Sequence, residues 1–195
     1  MLTLKDKKVY LLSSFMFFSG CMQSPTLPPL QRPEQWAIGI NFDHNFYQVS
    51  SFVYRSEQPV DNFIFMLKQE DIRVIINLRS RDRDSEILKQ YPFQLTHIPI
   101  HTWSLNKYQL LAVMQTIQQA QVNHQKVLIH CYHGSDRTGA SIAMYRIIFE
   151  NWTIQSALDE MKYGGYGYHS IWKNIENVFT EENVKWIREQ LSNPS

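Results

Sequence analysis

Cysteine is scarce in this sequence: 195 residues contain two, Cys21 and Cys131. At most one intramolecular disulfide is possible, which excludes a fold stapled by a disulfide framework. Charge of one sign is lacking too. With 19 Lys and Arg against 18 Asp and Glu, the formal net charge is +1, and the concentrated basic face that backbone binding to nucleic acid requires is not there. No apolar run is long enough to span a bilayer comfortably as a helix. Acidic residues are missing altogether from Ile87 to Ser135, a gap that matters for the chemistry below. What remains, 44% hydrophobic and 13% aromatic residues, is the composition of one soluble domain with a proper core. The chain is too short to expect two.

The amino terminus stands apart. Lys5, Lys7 and Lys8 precede an apolar run from Val9 to Phe18, and Ser19-Gly20-Cys21 follows. Basic, apolar and small-residue segments in this order read as a secretory signal over residues 1–20. A cysteine directly after two small residues resembles the lipobox of bacterial lipoproteins, which would make Cys21 an acylated first residue and the protein membrane-bound through that lipid. Phe18 departs from the lipobox pattern, and plain export or an uncleaved anchor are the alternatives. Residues 21–40, with Pro25, Pro28, Pro29 and Pro33, read as an extended tether. With Cys21 lipidated, Cys131 is the only thiol of the mature chain, so a reactive role competes evenly with a small buried core residue. The expected location is the periplasmic side of a bacterial membrane.

From about residue 41 to 195 short apolar runs alternate with longer helical ones. Strands are expected at Phe52–Arg55, Arg73–Leu78, Leu95–Ile100 and Lys126–His130. Helices are expected around Phe63 to Leu67, from Asn106 to about Val122, from Thr138 onward, near Ile154–Met161, and over Ile171–Leu191. This order predicts a single α/β domain with a central, largely parallel sheet flanked by helices. Functional loops of such sheets lie at the carboxyl ends of the strands, and "HCYHGSDRTG", His130 to Gly139, is at one of them.

A strand that ends at His130, a tight segment through Gly134 and a helix starting near Arg137 would bring several backbone N–H groups and a helix amino terminus to one point, which attracts phosphate. Cys131 at the base of that cradle would be held as the nucleophilic thiolate. Arg137 offers a planar fork to two phosphate oxygens. Thr138 can donate its hydroxyl to the Cys131 sulfur. Backbone from Tyr132 through His133, Gly134, Ser135 and Asp136 to Arg137 would bind the phosphoryl oxygens.

These residues match H-C-x5-R-[S/T]-G, and the chain resembles the cysteine-dependent protein tyrosine and dual-specificity phosphatases, in particular their atypical bacterial exported branch. "VYRSEQP" (Val53 to Pro59) and "IRVIINLR" (Ile72 to Arg79) look like that branch's landmarks, and the resemblance runs from about Asn45 to Phe179. It implies a phosphatase domain that hydrolyses phosphotyrosine esters, and by extension phosphoserine or phosphothreonine esters, through a phosphocysteine intermediate without metal or cofactor. It also implies an aspartate acid on a loop upstream of the cysteine, where this chain has "HIPIHTWSLNKY" and Ser104 near the expected position. Asp136 is the leading substitute, as acid and base; Asp82, Asp84 and His101 are the others. Asp136 could equally orient Arg137 or cap the helix. Two rival readings stand beside this one: a phosphoinositide or small phosphate-ester phosphatase, for which Asp136 in the loop speaks, and a catalytically weak phosphate-binding module, motivated by the missing acid.

The remaining features carry blander readings. His130 and His133 lack a second pair of ligands for a metal. Lys162 to His169 reads as a loop between helices rather than a mobile wall of the site. Trp103 and Trp152 read as packing residues, and the charges of Arg79, Arg81 and Arg83 are largely offset by Asp82, Asp84 and Glu86.

Overall fold

The computed structural model describes residues 23–192; the signal segment 1–20 and Cys21 lie outside them. Six strands form one sheet: β1 (Ile38–Asn41), β2 (Phe46–Gln48), β3 (Val53–Ser56), β4 (Ile72–Asn77), β5 (Gln94–His97) and β6 (Lys126–His130). Their spatial order is β1-β2-β3-β6-β4-β5. The three pairings among β3, β6, β4 and β5 are parallel, while β1 and β2 add an antiparallel edge. The helices are α1 (Ile64–Gln69), α2 (Asp84–Ile87), α3 (Lys107–Val122), α4 (Asp136–Phe149), α5 (Ile154–Tyr163), α6 (Lys173–Asn177) and α7 (Glu181–Ser192). The single α/β domain expected from the sequence is the fold. Among the described residues no helix is long and apolar enough to cross a membrane.

β6 lies mid-sheet because its residues suit burial on both faces. Val127 and Ile129 enter the larger core, with Val113 and Met114 of α3, Ala140 and Met144 of α4 and Ile187 of α7. Leu128 points the other way, into a smaller core with Phe46, Tyr54, Phe63, Leu67 and Ile75. Each such side chain contributes about 1.5–3 kcal/mol by leaving water. That burial on both faces anchors the strand that delivers Cys131. The start of α3 follows its sequence signal: Asn106 Oδ1 accepts from the N–H groups of Tyr108 and Gln109, and Gln109 Oε1 accepts from Asn106 N–H at 3.2 Å.

Three expectations need correction. The described part of the supposed tether is packed onto the domain. Gln23 bridges His169, Ser24 N–H donates to the Tyr168 carbonyl at 2.8 Å and Leu27 N–H to that of Tyr163 at 3.0 Å. Trp36 is buried, Arg146 Nη2 donates to the Gln35 carbonyl, and Ile38–Asn41 is already β1. Residues 24–28 carry no helix, which leaves backbone groups free to pair with a neighbouring loop, and Pro29–Gln31 then turn as a short 3-10 helix. The helix expected over Ile171–Leu191 is two, α6 and α7, separated where Thr180 Oγ1 accepts from Asn183 N–H and restarts the helix. Trp103 is 66% exposed rather than packed; Trp152 does pack against the larger core, under the Arg146 guanidinium.

Candidate active site

β6 ends at His130 and α4 begins at Asp136, so Cys131 to Ser135 form the connecting loop. The chain turns there through Gly134, at φ +70°, and a Cβ on this residue would stand 2.4 Å from the Ser56 carbonyl oxygen and 2.8 Å from Glu57 N. Only glycine lets the loop rest on the end of β3. Replacing Gly134 by alanine is expected to cost at least ~1–3 kcal/mol from the φ strain alone. Urea unfolding of the variant should show the loss, and a midpoint equal to wild type would mean the loop does not sit there.

Every carbonyl of this loop is held from outside. The Cys131 oxygen faces His130 Nδ1 at 3.1 Å. That of Tyr132 accepts from Gln58 N–H at 3.1 Å, and that of His133 from Asn45 Nδ2 at 2.8 Å. Gly134's accepts from Arg55 Nη2, and Ser135's from Gly139 N–H at 2.7 Å. In a trans peptide the N–H points opposite to the C=O. The N–H groups of Tyr132, His133, Gly134, Ser135 and Asp136 are therefore turned inward, and none of them donates to a described residue. Unpaired N–H groups converging at a helix amino terminus form an anion cradle. Its lining is the set of residues the sequence put forward.

Cys131 is a free thiol, 3% exposed, at the base of the loop. Arg137, half-buried in the first turn of α4, uses Nη1 on the carbonyls of Ile100 at 3.1 Å and Leu78 at 3.3 Å. Its Nε and Nη2 donate to no described residue and stay uncommitted. Thr138 is buried, but its Oγ1 has no hydrogen-bond partner among the described residues, so the expected bond to Cys131 is not made with the thiol. A thiolate would supply a stronger acceptor.

The alternative acids are placed very differently. Asp136 accepts from His169 N–H at 2.8 Å and lies 3.0 Å from its Nδ1, which ties the 164–172 loop to the cradle. Asp84 is buried, facing His130 Nε2 at 2.8 Å and accepting from Gln58 Nε2 at 2.7 Å; the same Gln58 accepts from Arg79. Asp82 caps α2 by accepting from the N–H groups of Asp84 and Ser85. Partial burial raises its pKa, but these bonds outweigh that and leave it below the usual carboxylate range. His101 is exposed and stacks on Trp103 with ring centroids 4.7 Å apart. It directly follows Ile100, the residue that holds Arg137. At the rim Tyr132 is 54% exposed, with the Arg79 guanidinium over its ring at 4.9 Å.

Sequence reasoning missed three supports: Arg55, Asn45 and His169. Arg55 alone had a local signal, as a charge inside the otherwise apolar start of "VYRSEQP". Of the 162–169 segment, expected as a loop between helices, Lys162 and Tyr163 still belong to α5 and the loop begins at Gly164, with Tyr166 and Tyr168 buried.

Comparison with known proteins agrees with this geometry. The model of the dual specificity phosphatase catalytic domain matches residues 53–177. The dual specificity protein phosphatase TpbA of Pseudomonas aeruginosa is 30% identical over 162 residues, 83% of this chain and 73% of that protein. A crystal structure of TpbA in complex with pTyr is similar at a TM-score of 0.75 and 29% identity, over 83% of this chain and 99% of that one. PTPMT1, at a TM-score of 0.61 and 18% identity over 75% and 98% of the two chains, is alike in fold. Because the family match takes in β3, β4, β6 and α4, and with them Cys131 and Arg137, this chain belongs to the dual specificity phosphatase family.

Proposed function

We propose that this protein hydrolyses phosphotyrosine esters through a phosphocysteine intermediate, and that it does so outside the cytoplasm on a lipid anchor at Cys21. The observation that carries the reaction is the cradle of five inward-turned N–H groups around Cys131, with part of the Arg137 fork uncommitted. The similarity to a phosphatase crystallised with pTyr supports the substrate. In the first step the Cys131 sulfur attacks phosphorus, a P–S bond forms and the ester P–O bond breaks, while the cradle and Arg137 hold the three phosphoryl oxygens. The departing oxygen takes a proton from a donor at the rim. In the second step water attacks phosphorus and gives a proton back to that donor, and the P–S bond breaks to release inorganic phosphate. Of the four candidate donors, Asp136, Asp84 and Asp82 are engaged elsewhere, and we assign the role to His101.

The full chain in reducing buffer should release phosphate from a phosphotyrosine peptide, and rapid quenching with labelled substrate should leave label on Cys131. Release from a phosphoinositide but not from the peptide would replace the substrate class. Release from neither would leave a phosphate-binding module.

The anchor rests on the order of Lys5, Lys7, Lys8, the apolar run to Phe18 and Ser19-Gly20-Cys21. Expressed in a Gram-negative host, the wild type should incorporate an alkynyl fatty acid and sediment with membranes, and Cys21→Ala should do neither. An unlabelled wild type sinks the anchor without touching the chemistry.

A further inference from the structure

We propose that Arg55 is a positioning residue for catalysis: a fixed positive charge beneath the phosphate loop whose counter-charge is the anion the loop holds, first the Cys131 thiolate and then the phosphoryl group.

Arg55 lies in β3, beside Tyr47 of β2 and Ile129 of β6, and its side chain is fully buried. One nitrogen, Nη2, donates to the Gly134 carbonyl, and the guanidinium lies 3.8 Å from the centroid of the Tyr166 ring. Its Nε and Nη1 are buried and have no hydrogen-bond partner among the described residues. Among the described residues no carboxylate forms an ion pair with it. The acid of this region, Glu160, is spent: Oε1 accepts from Ala37 N–H, Arg146 Nη2 and Tyr166 OH, and Oε2 from Arg146 Nε.

A buried, unpaired and incompletely bonded ion is among the most costly groups a fold can contain, and arginine does not escape by losing its proton. Burial acts to lower its pKa; the groups opposing this are Tyr166, Glu160, Tyr47 and Cys131. The two tyrosines are neutral near neutral pH, burial pushing both phenols above their usual range, and Glu160 is paired with Arg146. Of these groups Cys131 alone belongs to the reaction, which uses its sulfur as the anion that attacks phosphorus and then leaves the charge on the phosphoryl oxygens it carries. Arg55 works through the Gly134 peptide: its bond to that carbonyl turns the next N–H, on Ser135, into the cradle, and its charge strengthens the field there. Arg137 clamps phosphate within the loop; Arg55 acts from below, touching no substrate.

This role separates stability from function. If Arg55 is kept for the anion, removing its charge relieves a cost to the empty fold and weakens oxyanion binding. If it only props the loop, stability and binding fall together. The test uses the full chain, Arg55→Met, Arg55→Lys and tungstate as a non-covalent oxyanion probe, with Tm and p-nitrophenyl phosphate kinetics measured beside it. Arg55→Met is expected to bind tungstate about tenfold or more weakly, to lose kcat/KM in proportion, and to melt no lower than wild type; Arg55→Lys should recover most of the binding. Tungstate affinity equal to wild type in Arg55→Met overturns the proposal. So does a Tm that falls in step with affinity. Should Arg55→Met not fold, Arg55→Lys decides: binding near wild type supports the charge, and a loss of about tenfold overturns it. The proposal rests on the phosphate-cradle reading, and a wild type that does not bind tungstate overturns both.

Discussion

Cys131→Ser is expected to reduce turnover of a phosphotyrosine peptide by about 10⁴ to 10⁶-fold while leaving the peptide bound. Binding and bond-breaking are carried by different atoms here. In the proposed mechanism the N–H groups of Tyr132 to Asp136 and the Arg137 fork hold the phosphoryl oxygens, and their positions do not depend on the sulfur. The attack does depend on it, because a serine hydroxyl at neutral pH is a far weaker nucleophile without a base beside it. The immediate neighbours supply none: His130 faces the Cys131 carbonyl through Nδ1 and Asp84 through Nε2, which leaves no ring nitrogen for a serine. Equilibrium binding of a labelled phosphopeptide, together with phosphate release, checks both halves. Residual turnover above about 1% of wild type would mean the nucleophile is elsewhere. Loss of binding along with turnover would mean that the sulfur shapes the cradle and does not only react in it.

How far the site was legible depends on how local each part is. Strand, cysteine, loop, arginine and helix follow one another in "KVLIHCYHGSDRTG", and the apolar pattern of Val127 to Ile129 already says that the strand is covered on both faces. The supports arrive from afar. Asn45, Arg55 and His169 reach the loop from 88, 79 and 33 residues away, and nothing in a single sequence pairs them with it. Asp82 and Asp84 show a second limit. Two residues apart in one charged stretch, one is an exposed cap and the other is buried against His130, a difference made by the packing of α2 over β6. β1 and β2 were missed because three of β1's four residues are exposed and no alternation marks it. They form because β3 offers an open edge. Prolines before β1 spoke for an extended tether, but Pro29–Gln31 turn as a short 3-10 helix, and Trp36 with the backbone bonds to Tyr163 and Tyr168 makes the segment a packed strap.

The missing carboxylate leads to the other large effect. His101→Gln is expected to slow a phosphotyrosine peptide by about 10²-fold or more and to leave p-nitrophenyl phosphate within a few-fold of wild type, since nitrophenolate departs without a proton. The contrast follows from where the candidates stand. Asp136 accepts from the backbone and ring of His169, so Asp136→Asn should loosen the 164–172 loop against the cradle and slow both substrates alike. Asp84 cannot reach an ester oxygen without breaking its bonds to Gln58 and His130. Asp82, its pKa held below the usual range, has no proton to give at neutral pH. His101 is the acid–base group left among the candidates, an exposed ring next to the residue whose carbonyl anchors Arg137. Its stacking on Trp103 fixes the ring without occupying its nitrogens in a described hydrogen bond. Steady-state rates for a series of aryl phosphates with rising leaving-group pKa make the comparison quantitative. The variant lacking the acid will show the steeper fall, because the negative charge that develops on the departing oxygen is no longer met by a proton. Steepening in Asp136→Asn and not in His101→Gln would return the acid role to the loop aspartate and leave His101 as a rim residue.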